Sequence, residues 1–133
     1  MLQLNKSNGD ISIGDILITP SFRIADLEPL RQRYNVRFNL SNQEYISYSI
    51  TNADDNSYAF SLLFYNENLQ WINIGLGSKH GFEPYIITVQ ESMALEKELQ
   101  SLGGEKTYPW GKIGISEDRK GGSLSIHISY MAI

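Results

Sequence analysis

Strict alternation of apolar and polar residues near the C-terminus constrains the fold of this chain more than any other feature. In the run SLSIHISY, Leu124, Ile126, Ile128 and Tyr130 alternate with three serines and a histidine. Because successive side chains of a β-strand point to opposite faces of the sheet, this period of two predicts a strand with one buried and one polar face. We expect it to pair with residues 112–116 through the Gly-rich turn between them.

Earlier segments predict further strands. Residues 36–40 and 46–50 alternate in the same way, and residues 57–65 and 69–76 carry bulky side chains on both faces, as central strands do. A three-residue connection, 66–68, joins the latter pair and predicts a hairpin. Residues 11–18 are β-branched and interrupted by Gly14 and Asp15, which predicts a single strand with a bend or bulge at the glycine.

One long helix is predicted over residues 89–102. Thr88 and Glu91 fit a capping box, and the glycines at 103 and 104 supply the stop. The apolar side of this helix should be buried against the sheet, and its members are Val89, Met93, Leu95, Leu99 and Leu102. A short helix is predicted at about residues 22–27, capped by Ser21 and limited by Pro29. The alternative is a turn that restarts at Pro29 and runs to Tyr34.

This order of elements predicts the fold class. Strands occur in two blocks, each preceded by a helix, and short loops join the strands that follow one another. We therefore expect an α+β fold with a mainly antiparallel sheet of about five to seven strands, on which one long and one short helix pack. A length of 133 residues suits a single domain, 1–133, with an unstapled core.

Charge and cysteine content exclude several kinds of function. The net charge of −4 disfavours nucleic acid as a direct partner, because phosphate binding needs a surplus of Lys and Arg. The chain has no Cys, which excludes disulfides, thiolate metal sites and a cysteine nucleophile. It shows neither a signal peptide nor an apolar stretch of the ~20 residues that span a bilayer, so we expect a cytoplasmic protein without a membrane partner.

Motifs for catalysis, metal binding or cofactor binding do not emerge from the sequence. The serines lie outside a nucleophile elbow, and the Gly-rich segments lack the spacing of phosphate or dinucleotide loops. Asp54 and Asp55 supply fewer oxygen ligands than a calcium loop requires. His80 lies in a Gly-flanked loop without an identified acid or base beside it. We therefore expect no catalytic residue, no metal and no cofactor.

Three segments, taken in order, carry a resemblance to a known family. They are GDILITP near the start, SLLFYNENLQWINIGLG in the middle, and YPWGKIGISEDRKGGSLSIHISY after the long helix. In this order the chain resembles the small acidic immunity proteins of bacterial contact-dependent growth-inhibition and related polymorphic-toxin systems. The resemblance implies a non-catalytic inhibitor that binds one cognate toxin domain. Many such toxins are nucleases with basic clefts, which an acidic inhibitor meets with opposite charge.

Two other classes of function stay open. One is a small bacterial or phage-encoded interaction module with a different partner. The other is an enzyme with an unrecognised site around His80, Asp54 and Glu83. The oligomeric state is not indicated by the sequence.

A docking site is predicted at one end of the sheet. The loop 52–56 joins two strands at the end where the loop 77–84 begins, and recognition residues concentrate on loops carried by a rigid scaffold. Aromatic residues there would dominate the binding energy. The predicted contact residues are Asp54, Asp55, Tyr58, His80, Phe82 and Glu83. The alternative is that these segments are solvated loops without a partner, and the contact surface then lies on the sheet face that carries Ser125, His127 and Ser129. Trp71 is expected on the side of its strand away from Ile72 and Ile74.

Overall fold

Two antiparallel sheets and two helical segments make up the described part of the chain. The computed structural model describes residues 2–42, 44–53, 58–76, 89–118 and 123–130. Within them, one sheet has three strands and the other has seven, and every strand pair is antiparallel. The predicted α+β class is confirmed. The larger sheet alone has the predicted number of strands, and the smaller sheet was not expected as a separate layer.

The small sheet arises from a turn at a position where the sequence predicts a bend or bulge. Its strands, in the order β1-β2-β3, are β1 (Leu2–Leu4), β2 (Ile11–Ile13) and β3 (Ile16–Ile18). The prediction of a single strand over 11–18 is wrong, because Ile13 pairs with Ile16 across a two-residue turn. Gly14 in that turn has φ 62°, which suits the first position of a type II′ hairpin turn. The reversal places Ile11, Ile13, Ile16 and Ile18 together in the core.

The short helical segment begins later than predicted. A 3-10 turn covers Ile24–Leu27, and helix α1 follows at Glu28–Arg31. The N–H of Arg23, rather than a Ser21 cap, marks the start, since it donates to Asp26 Oδ2 at 2.9 Å. Pro29 lies in the first turn of α1, where its missing N–H removes no helical hydrogen bond. Glu28 is therefore helical. The alternative prediction, a turn that restarts at Pro29, is closer to the structure than the prediction of a helix that Pro29 ends.

The seven-stranded sheet has the order β4-β5-β6-β7-β10-β9-β8. Its strands are β4 (Val36–Asn42), β5 (Tyr45–Asn52), β6 (Tyr58–Tyr65), β7 (Asn68–Leu76), β8 (Lys106–Tyr108), β9 (Gly111–Asp118) and β10 (Ser123–Tyr130). The predicted C-terminal hairpin is confirmed, with Ile113 opposite Ile128. Asn66 and Glu67 alone form the turn between β6 and β7, with φ values of 50° and 70° that suit a type I′ turn.

The long helix, α2 (Val89–Ser101), covers the sheet with three leucines. Leu95, Leu99 and Leu102 are buried, as predicted. Met93 is 66% exposed, so its predicted burial is wrong. Two residues along an α-helix are about 200° apart, which turns Met93 away when Leu95 faces the core. The side chains of Val89 and of the capping-box residues lie outside the described part.

The predicted stop of the long helix is confirmed at its two glycines. Gly103 and Gly104 have φ values of 109° and 79°. The N–H of Gly104 donates to the Leu99 carbonyl at 2.9 Å, which satisfies one of the free carbonyls at the helix end.

The core lies between one face of the seven-stranded sheet and the two elements that cover it. Isoleucines of the small sheet and leucines of α2 belong to one buried cluster with the apolar residues of β5, β6, β7, β9 and β10. Phe22, before the 3-10 turn, packs on Phe64 with ring centroids 6.4 Å apart. Among the described residues, none of the helices is long and apolar enough to cross a membrane. The side chains on the opposite face of the large sheet point away from this core.

Candidate functional site

The face of the seven-stranded sheet opposite the core carries small polar and aromatic side chains in transverse rows. In the central row, Ser49 lies opposite Ser61, Ser61 opposite Asn73, and Asn73 opposite His127. The neighbouring rows contain Ser47, Leu63, Trp71 and Ser129 on one side, and Ala59, Gly75, Ser125 and Ser116 on the other. These twelve residues, with the cross-strand pair of Tyr45 and Tyr65, are called the polar face below.

Alternation within each strand produces this face. In β7, Ile72 and Ile74 are fully buried while Trp71 and Asn73 are half-buried, which confirms the expected side for Trp71. In β10, Ile126 and Ile128 are fully buried and His127 is half-buried. The apolar positions of adjacent strands align in register, so the polar positions align as well.

Three side chains form the centre of the polar face. The imidazole of His127 lies 5.6 Å from the ring of Trp71, centroid to centroid. Its Nδ1 is 2.6 Å from Asn73 Oδ1. An amide oxygen only accepts, so Nδ1 carries the proton and donates, and Nε2 is the acceptor of the neutral ring. The contact fixes both the tautomer and the orientation of the imidazole.

The surroundings of His127 favour its neutral form. Burial lowers the pKa of the imidazole below its ordinary value of 6.5, and the ammonium of Lys112 lowers this pKa further. Ser129 on β10 lies opposite Lys112 on β9, and His127 is the next residue on the same face, so the cation and the imidazole are neighbours. Near neutral pH the centre of the polar face is therefore uncharged.

Two depressions flank this centre. One, of about 300 Å³, is lined by Ser49, Thr51, Ser61, Asn73 and Ser125 and also by Ala59, Phe60, Gly75 and Leu124, so most of its wall is apolar. The other, of about 510 Å³, is lined by polar groups that include Glu105, Lys112, Ser116 and His127. Because Asn73 belongs to the first and His127 to the second, their hydrogen bond forms part of the wall between the two. The surface therefore offers hydrogen-bonding groups in two hollows separated by a ridge.

The chemistry of this surface suits binding. Asn73 orients the imidazole of His127 and leaves its Nε2 as an acceptor for an N–H or O–H group of a partner. Within the described ranges, three or more His, Asp or Glu residues do not come together in a group that could hold a metal ion. Hydroxyl, amide and aromatic groups on a rigid sheet are instead the components of a recognition surface.

Five of the six predicted contact residues lie outside the described part of the chain: Asp54, Asp55, His80, Phe82 and Glu83. The strands that flank them are described. Asn52 ends β5, Tyr58 begins β6 and Leu76 ends β7, with Tyr58 opposite Leu76. Segments 54–57 and 77–88 therefore start from the same end of the sheet. That end also carries Thr51, Ala59 and Gly75, which line the smaller depression.

Tyr58, the sixth predicted contact residue, belongs to the core. Its side chain is 5% exposed, and its hydroxyl donates to Glu98 Oε1 on α2 at 2.7 Å. Burial first, and then the Glu98 carboxylate, raise the pKa of this phenol. Tyr58 also lines a groove of about 820 Å³ between β1 and α2. Its ring supports the helix and the small sheet, and it is not displayed on the surface.

Comparison with known proteins adds one finding on the fold. No protein-family model matches the chain, and no curated protein matches it. One chain of a solved structure described as "Rhs1-CT in complex with cognate immunity protein RhsI1" superposes with a TM-score of 0.64 at 12% identity. The superposition covers 98% of this chain and 87% of the other. The two chains share a fold.

Asn73 and Ser61, at the middle of the polar face, are not among the contact residues that the sequence predicts. Ser125, His127 and Ser129, which form the predicted alternative contact surface, lie on that face. The available signal for the rest was the register of β6 and β7, since their hairpin fixes which residues lie opposite each other. No local feature of the sequence predicts that β10 pairs with β7, because 54 positions separate Asn73 from His127.

Proposed function

We propose that this protein is an immunity protein that binds one cognate toxin domain and neutralises it without catalysing a reaction. The observation that carries the proposal is the shared fold, over 98% of this chain, with a structure that holds a toxin domain and its cognate immunity protein. In this proposal the protein acts in the cytoplasm as a single domain. The toxin belongs to a contact-dependent growth-inhibition or related polymorphic-toxin system.

The composition of the polar face supports a role in protein recognition. Surfaces that evolve to bind many different proteins, such as antibody paratopes, are rich in Tyr, Ser, Gly and Asn, with Trp where the binding energy is greatest. The polar face has the same residue types: six serines, two tyrosines, one tryptophan and one asparagine. Rigid aromatic rings contribute contact area at low entropic cost, while hydroxyl groups adapt their hydrogen bonds to the partner.

Charge supports a basic toxin as the partner. A net charge of −4 accelerates association with a basic surface, such as the cleft of a nuclease, and disfavours direct binding to nucleic acid. We propose that the segments with Asp54, Asp55, His80, Phe82 and Glu83 contribute to this encounter from the end of the sheet. Tyr58 would hold the base of these segments by its contact with Glu98.

Co-expression with the toxin domain encoded by the neighbouring gene tests the proposal. Bacteria that produce the toxin domain alone should stop growing, and growth should return when this protein is produced with it. The purified pair should form a complex with a dissociation constant of about 100 nM or tighter, as natural recognition interfaces of standard size do. An immunity protein of an unrelated toxin is the matched control for rescue.

The outcomes separate the proposed function from its alternatives. Binding without rescue of growth would indicate an interaction module. Rescue without a complex, lost in a His80→Ala variant that still folds, would indicate an enzyme. Absence of both rescue and binding would overturn the proposal.

A further inference from the structure

The polar face is poor in charged residues compared with the chain as a whole. One residue in five of the whole chain is charged. None of the fourteen residues that define the polar face is Asp, Glu, Lys or Arg, and Lys112 on β9 is the one charged residue that continues the rows of Trp71, Asn73 and Gly75 on the described strands β5, β6, β7, β10 and β9. A surface that is poor in charge and rich in aromatic and hydroxyl side chains is typical of the centre of a protein interface.

Charged side chains border the polar face on both sides. Arg37 on the edge strand β4 lies opposite Ser49, and Lys112 on β9 lies opposite Ser129. Both are exposed. A neutral centre with charged residues towards its edges is typical of protein interfaces, in which the border stays in contact with water. Arg37 and Lys112 are both cations, so acidic residues that meet a basic toxin must lie at other parts of the border.

The dimensions of the face fix how much of an interface it can supply. Five strands, β5, β6, β7, β10 and β9, span about 20 Å at ~4.8 Å per strand, and four rows of side chains span about 20 Å at ~6.8 Å per row. This gives roughly 400 Å², about half of the ~800 Å² that each partner buries in a standard interface. The remainder must come from surface next to the face.

We infer that the polar face is the docking surface of the toxin domain, with Trp71, Asn73 and His127 at the centre of the contact. This inference rests on the proposed function. The occupant is a region of the toxin that presents an apolar group to Trp71 and Leu63 and an uncharged hydrogen-bonding group to the smaller depression. To the larger depression, which Glu105, Lys106 and Lys112 also line, it presents a polar or charged group. The hydrogen bond between His127 and Asn73 holds the ridge between the depressions in place, so the surface is organised before the toxin arrives.

This surface determines how long the complex lasts. Contacts at the desolvated centre of an interface control dissociation, whereas charges at its border control association and the dependence on salt. Changes on the polar face should therefore raise the dissociation rate and leave the salt dependence of association unchanged.

A bulky charged residue in the central row tests the inference. Ser61→Arg places a guanidinium in the smaller depression without removing any core side chain. Its matched control is Ser12→Arg, the same change on β2, where Ser12 lies between Gln3 and Leu17 on the outward side of the small sheet. Measured by surface plasmon resonance with the purified toxin domain, Ser61→Arg should weaken binding by about thirtyfold or more, and Ser12→Arg by less than about twofold.

A second pair of variants removes contact area. Trp71→Ala should raise the dissociation rate by about tenfold or more, while Met93→Ala, at an exposed apolar residue of α2, should leave it unchanged. Circular dichroism shows whether each variant is folded. If Trp71→Ala is not folded, the affinity of Ser61→Arg alone tests the inference.

The results distinguish this inference from the proposed function. If the wild-type protein binds the toxin domain and Ser61→Arg and Trp71→Ala bind it equally well, the docking surface lies elsewhere and the proposed function stands. If the wild-type protein does not bind at all, the proposed function fails first. A loss of binding that Ser12→Arg shares would also overturn the inference.

Discussion

At the scale of single residues, His127 is the group whose charge is set most clearly by its surroundings. Burial and Lys112 both disfavour the imidazolium, so its pKa in the folded protein lies below 6.5. Between that lowered pKa and 6.5 the unfolded chain binds more protons than the folded one. Stability should therefore fall as the pH drops from about 7 through this window and level off below it. Titration of the imidazole Cε1 proton by NMR checks the pKa, with His80→Ala used for assignment.

Lys112→Gln supplies the control for this titration. Burial is the larger cause and Lys112 the smaller one, so the substitution should raise the pKa of His127 only part of the way to 6.5. In a His127→Gln variant the loss of stability in this pH window should shrink. A wild-type pKa at or above 6.5 would show that the imidazole is solvated or paired with a carboxylate.

At the scale of elements, two positions on α2 show whether burial or helix propensity determines how much a side chain contributes to the free energy of unfolding. Leu99 is 2% exposed, and its replacement by Ala should cost about 2–5 kcal/mol of the free energy of unfolding, through lost transfer energy and a cavity. Met93 is on the same helix and 66% exposed, so Met93→Ala should change that free energy by less than about 0.5 kcal/mol. Urea unfolding of both variants gives the comparison. Equal effects at the two positions would mean that the helix packs with a different face.

The same helix shows how far local pattern predicts structure. Its extent, its glycine stop and three buried leucines follow from the sequence, because a period of 3.6 and the conformational freedom of glycine are local properties. Met93 was assigned to the wrong side, since an apolar residue on the flank of the wheel has no local feature that shows its exposure. The hairpin at Gly14 and Asp15 was missed for a related reason. A glycine in a β-branched run is compatible with either a bulge or a turn. In this chain it is a turn, and β2, the strand before it, pairs with both β1 and β3.

At the scale of the whole molecule, the order of strands determines the candidate site. Hairpins β4–β5, β6–β7 and β9–β10 join strands that are close in the sequence, and alternation with turn signals predicts them. The placement of β10 beside β7 is a non-local choice, with α2, β8 and β9 between them in the chain. The pairing of β7 with β10 places Asn73 opposite His127 and joins the polar residues of β5, β6 and β7 with those of β9 and β10 in one face. Half of the polar face could thus be predicted from hairpin register, whereas its centre required the topology.

The two proposed contact regions make different predictions for the kinetics of toxin binding. Segments 54–57 and 77–88 start beside the polar face, so acidic residues there would act at the border of the interface and guide association. Replacing Asp54 and Asp55 with Lys should slow association with a basic toxin domain and weaken binding by about tenfold, or about 1.4 kcal/mol. The dissociation rate should change little, and stability should change little as well if the two carboxylates are solvated.

A double variant of equal charge separates a local effect from a global one. Glu67→Lys with Glu96→Lys changes the net charge from −4 to 0, as the Asp54 and Asp55 reversal does. Both glutamates are exposed; Glu67 lies in the turn at the other end of β6, and Glu96 lies on α2. If both variants slow association equally, the toxin responds to the overall field of the molecule. If only the aspartate variant does so, and the difference disappears at about 0.5 M salt, where charges are screened within a few ångströms, the acidic segment lies at the border of the interface. If neither variant slows association, charge does not guide it, and the polar face must recognise the toxin without these carboxylates.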